Sequence, residues 1–146
     1  MVAPVTVEGG RRRFWPATLV AYSVFLAIVL LAPTSTAQSE GASWLADLAQ
    51  AIGIAPELAT QARAEFVANA LILMPVSALG SMVWPATTWR DWTAWSFVLA
   101  SGVELAQGLL LPDRTATMID VIANTLGGML GAAFVAVLRR ASSVVE

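Results

Sequence analysis

The chain has 146 residues, of which 58% are hydrophobic and only 12% charged, and its mean hydropathy is +0.72. A soluble domain carries about 25% charged residues, so the sequence describes one all-α integral membrane domain over residues 1–146. It contains neither Cys nor His, which excludes disulfides, thiolate or imidazole metal sites and any Cys- or His-dependent nucleophile, and a net charge of −2 gives no reason to expect nucleic acid.

Residues 1–13 read as a disordered cytoplasmic tail ending in Arg11-Arg12-Arg13. An apolar run follows from about Trp15 to Ala32, then Pro33 and the small-residue stretch Ser35-Thr36-Ala37. A secretory signal with its cleavage site has the same order of features, but its apolar region spans only ~7–15 residues, so a retained first transmembrane helix is the preferred reading. Residues 33–64 form the long outer connection. Within it, Gln38-Ser39-Glu40-Gly41 resembles a turn and Ser43 is placed to cap a short amphipathic helix. That helix carries Trp44, Leu45, Leu48 and Ile52 on one side and ends at Gly53, and Pro56-Glu57 opens a second helical piece. The segment reads as a cap lying on the outer membrane surface or, equally, as a plain linker.

Three further spans are expected at about residues 65–84, 92–111 and 117–138. The first of these contains Pro75, which should kink it or release a carbonyl. Trp84, Trp89 and Trp92 flank the loop that follows, as an interfacial aromatic cluster. Pro112-Asp113-Arg114 makes a tight turn, and Gly127-x-x-x-Gly131 in the last span permits close helix packing. With the N-terminus inside, Arg11, Arg12, Arg13, Arg90, Arg139 and Arg140 lie on the cytoplasmic side, against Arg63 and Arg114 outside. Both termini are therefore expected in the cytoplasm of a multi-pass cell-membrane protein.

This topology brings the polar residues of three spans to one depth near the outer leaflet. Glu65 and Asn69 sit near the start of the second span. Glu104 and Gln107 lie ~10 and ~6 Å below the end of the third, and Asp120 and Asn124 ~4.5 and ~10 Å below the start of the fourth. Each pair has the i,i+3 or i,i+4 spacing that shares a helix face. A carboxylate inside a span costs roughly 2.5–3.5 kcal/mol, so Glu104 requires a partner or a wet cavity.

The pattern Glu65-x3-Asn69-x5-Pro75, Ser101-x2-Glu104-x2-Gln107 and Arg114-x5-Asp120-x3-Asn124-x2-Gly127-x3-Gly131 resembles the VanZ-like membrane proteins, with Pro33 a weaker match near the end of the first span. Leu73 stands where that family often has Phe, and Ser77 where it often has Gly; both differences bear on packing. The resemblance implies a small four-helix envelope protein related to one linked with low-level teicoplanin resistance, with no established reaction.

Three functions follow from the polar layer. In the first, Arg114, with Arg63, pairs with the phosphate or carboxylate of an envelope lipid or lipid-linked cell-wall intermediate, while Glu65, Asn69, Glu104, Gln107, Asp120 and Asn124 complete the pocket. In the second, Glu104 or Asp120 is a general base in an intramembrane hydrolase or transferase, alone or with a divalent cation held by Glu65, Glu104 and Asp120; no other cofactor is implied. A proton or ion pathway ranks last, because the polar groups occupy one membrane half. The Trp- and Gly-rich faces permit a homodimer. The structural alternative is that the polar groups only join helices.

Overall fold

The computed structural model describes residues 7–32, 36–111 and 117–143, excluding the side chains of residues 7–13, Ala37 and Ser143. Five helices follow in order: α1 (Val7–Leu30), α2 (Thr36–Ala51), α3 (Gln61–Val83), α4 (Trp89–Leu110) and α5 (Met118–Ser143). No strand occurs among the described residues.

The bundle is organised by α3 and α5, which run parallel. Asn69 meets Asp120 at one end, and Arg139 reaches the Ser81 carbonyl at the other. Small residues make this approach possible. A Cβ on Gly127 would collide with the Ala70 backbone, and one on Gly131 with the Met74 backbone. Gly128 faces the antiparallel α4, where a Cβ would strike Ser96. The adjacent glycines 127 and 128 therefore serve two different neighbours. α1 joins through the Tyr22 hydroxyl, which donates to the Ile72 carbonyl at 2.7 Å, and through Leu26 and Leu30 packed with Leu73. Ile72 adjoins Leu71, whose carbonyl loses its i+4 donor to Pro75; α3 nevertheless remains helical through the proline.

The distribution of side chains suggests a membrane protein. The interior holds Ala100, Ala123, Ala132, Ser77, Ser81 and Ser96, while Val24, Ile28, Trp95, Leu109, Ile119 and Phe134 face outward. Exposed apolar area of this kind marks a surface that meets lipid or another protein, and small buried residues suit helix packing in a membrane. Two helices, α3 and α5, are long and apolar enough to cross a membrane by length and composition. The apolar part of α1, Phe14–Leu30, is shorter, and α4 is diluted by Arg90, Asp91 and Glu104. The expected four spans thus stand as two by this measure.

Other boundaries differ from expectation. α1 is already helical at Val7, within the stretch expected to be a disordered tail, because its arginines are good helix formers; residues 1–6 lie outside the described residues. α2 starts at Thr36, so Gln38–Gly41 is helical and Ser43 lies inside the helix, donating back to the Ser39 carbonyl at 2.9 Å instead of capping. The cause is tertiary: Ala42 and Ala46 are buried against Ala64 of α3, and packing overrides weak local preference. Trp44, Leu48 and Ile52 then point away from the bundle. Gly53, at φ 91°, does end the helix. The Gly53 amide bonds the Gln50 carbonyl and the Ile54 amide bonds that of Ala49, a Schellman closure. Pro56-Glu57 begins a single turn, without a second helix.

Candidate functional site

Two helices in this protein begin with the same tetrapeptide pattern, Thr-x-x-Asp, and the difference between them defines the site. At α4, the Thr88 backbone amide donates to Asp91 Oδ2 at 2.8 Å and the Asp91 amide donates to Thr88 Oγ1 at 3.3 Å. This is a closed capping box, satisfying the first amides of the helix from within its own first turn. At α5, only half of the box is local. The Asp120 amide donates to Thr117 Oγ1 at 3.1 Å, and that hydroxyl donates to Asp120 Oδ2 at 2.7 Å. The Thr117 backbone amide turns instead to Glu104 Oε2 on α4, at 2.8 Å.

Glu104 therefore supplies from a neighbouring helix the acceptor that Asp91 supplies locally. Asp120, relieved of that bond, accepts from Asn69 Nδ2 of α3 at 2.5 Å through Oδ1. Three helices meet through Thr117 and Asp120. Glu104 is buried, while Asp120 and Asn69 are half-buried. Both carboxylates lie at the positive end of α5, where such placement stabilises by roughly 0.3–1 kcal/mol, up to ~2 when partly buried.

One group is left over. Asn124 lies one turn further along α5, ~6 Å from Asp120 along the axis. It is only 6% exposed, and its Oδ1 is fully buried with no hydrogen-bond partner among the described residues. An unmatched buried carbonyl costs on the order of 1–3 kcal/mol, so this oxygen requires a donor. Helix capping accounts for Glu104, Thr117 and Asp120, but gives Asn124 no role.

The remaining expected residues divide. Gln107 is buried and donates from Nε2 to the Leu30 carbonyl at 2.6 Å, tying α4 to the end of α1. Glu65 does not join Glu104 and Asp120. It is exposed on the first turn of α3 and accepts from Gln61 Nε2 at 3.1 Å. Arg63 is exposed and donates to the Glu57 carbonyl at 3.0 Å. The turn at Pro112-Asp113-Arg114 lies outside the described residues. No three Asp or Glu residues come together as a metal site among the described residues, so the set Glu65, Glu104 and Asp120 is not assembled. The hub that sequence reasoning passed over is Thr117; its signal was the Thr-x-x-Asp spacing immediately before an apolar run.

A family model described as VanZ/LLP1 matches residues 18–139. That interval contains the whole site and most of the chain, and the protein belongs to the VanZ/LLP1 family. No curated protein and no solved structure matches it significantly.

Proposed function

We propose that this protein is a four-span envelope protein with both termini cytoplasmic, and that the polar layer around the α5 N-terminus recognises an anionic lipid or lipid-linked cell-wall intermediate at the outer leaflet, thereby altering glycopeptide susceptibility. The observation that carries the reading is the buried, unmatched Asn124 Oδ1 beneath the Glu104–Thr117–Asp120–Asn69 network. A sugar hydroxyl or peptide amide of such a ligand is a donor of the kind this oxygen lacks. Arg114 supplies the cation for the phosphate or carboxylate, and the two carboxylates organise its surroundings. The arginine distribution supports the orientation. The bonds of α1 to Ile72 and Gln107 support its retention as the first span.

The test is binding of a polyprenyl-linked cell-wall precursor to purified full-length protein, alongside the teicoplanin susceptibility of cells expressing it. Arg114→Ala is expected to weaken binding at least tenfold and to abolish the effect on susceptibility. Unchanged affinity and susceptibility in that variant would overturn the recognition reading. Turnover of the precursor by wild type that stops in Glu104→Gln, with binding intact, would establish the hydrolase or transferase alternative instead.

A further inference from the structure

The opposite end of the bundle holds a cavity of about 250 Å³ whose wall includes Ser81, Thr87, Arg90, Arg139 and Arg140. No carboxylate lines it among the described residues. Asp91, beside it in sequence, has its carboxylate engaged by the backbone amide and hydroxyl of Thr88. Arg139 is half-buried and reaches across from α5, donating to the Ser81 and Pro85 carbonyls at 2.5 and 3.4 Å. It is thus held in place by neutral oxygens, which orient its guanidinium without cancelling the charge. Arg90 lies over the Trp89 ring, 5.2 Å from its centre. Trp84 and Trp89 are exposed, and the Trp92 indole donates to Thr87 Oγ1 at 2.9 Å. Tryptophans of this kind mark the head-group level of a bilayer.

We propose that this cavity binds the phosphate of an anionic phospholipid head group, at a site separate from the one around Thr117. Guanidinium forks match phosphate geometry. The cavity is smaller than the ~300–1,000 Å³ of whole-ligand pockets, so it admits a head group and leaves the acyl chains against the outer helix surface. Arg139 is a fixed positioning cation; Arg90 and Arg140 are the exposed arms at the mouth. The site uses none of the residues invoked for the outer-leaflet pocket, so it stands or falls independently of that reading.

The experiment reconstitutes full-length protein in phosphatidylcholine vesicles containing rising fractions of phosphatidylglycerol with brominated chains, which quench nearby tryptophans. An arginine near an anionic surface contributes about 1 kcal/mol, roughly fivefold. Wild type is expected to show saturable quenching beyond that from brominated phosphatidylcholine. The double variant Arg90→Gln/Arg140→Gln, which leaves Arg139 of α5 bonded to the Ser81 carbonyl of α3, is expected to need over tenfold more phosphatidylglycerol. Circular dichroism checks that it remains helical, and the single Arg90→Gln variant, expected to shift about fivefold, replaces it if it does not. Quenching equal to brominated phosphatidylcholine, or unchanged in these variants, overturns the proposal. So does calorimetric binding of inorganic phosphate without phosphatidylglycerol preference, which would make the site one for the free anion.

Discussion

The backbone amide of Thr117 donates to the carboxylate of Glu104, 13 residues earlier and on a different helix, at 2.8 Å. This bond helps a carboxylate to be tolerated inside an apolar helix: it meets the unsatisfied amides and positive dipole end of α5. It also explains why Asp120 is available to Asn69, whereas Asp91, in the same sequence context, is consumed by its own helix cap.

Removing the acceptor should loosen α5. Glu104→Ala leaves the Thr117 amide without this partner, and a loss of about 1–3 kcal/mol is expected. Glu104→Gln keeps an acceptor oxygen and should lose less. Thermal unfolding of the purified protein in detergent measures both, and equal stability of Glu104→Ala and wild type would contradict the capping role.

Asn69 and Asp120 should be energetically coupled. A double-mutant cycle with Asn69→Ala and Asp120→Ala is expected to give about 0.6 kcal/mol and no more than ~1.7, the range measured for interhelical polar contacts in membranes. A coupling indistinguishable from zero would mean that the 2.5 Å contact has no influence on stability.

The glycines of α4 and α5 should behave oppositely. Gly127→Ala and Gly131→Ala drive a methyl into the α3 backbone, with an expected cost of about 1–3 kcal/mol. Gly102 faces open space, so Gly102→Ala should be neutral or stabilising by up to ~1 kcal/mol through helix propensity. Comparing the three unfolding temperatures settles the point.

The α4 cap should be sensitive to acid. The Thr88 backbone amide, and secondarily its hydroxyl, hold the Asp91 carboxyl below its ordinary value. A group with a depressed folded pKa contributes stability above the unfolded value, near ~3.9, and loses it as pH falls through the folded one. The stability difference between wild type and Asp91→Asn should therefore be fully present at pH 6 and shrink below about pH 4. Hydrogen exchange at the start of α4 reads it directly, and a difference that stayed constant across that range would refute the assignment.

Composition and the long apolar runs by themselves pointed to a helical chain apolar enough for lipid, because so few charges are spread over stretches of spanning length. Helical spacing placed Glu104 with Gln107 and Asp120 with Asn124, because residues three and four apart share a face whatever the partner helix does. The motifs also carried the family. Only the tertiary structure decided which amide each carboxylate meets. Thr88-x-x-Asp91 and Thr117-x-x-Asp120 are equivalent as local sequence, and they diverge because α4 brings Glu104 to the start of α5, while among the described residues no carboxylate from another helix bonds the Thr88 amide. Glu65 fell outside the network, and α2 grew eight residues longer at its start than its cap signal implied, for the same reason. Register between helices is set by close approach at Gly127, Gly128 and Gly131 and by burial of Ala42 and Ala46, interactions between residues far apart in the chain that no local pattern encodes.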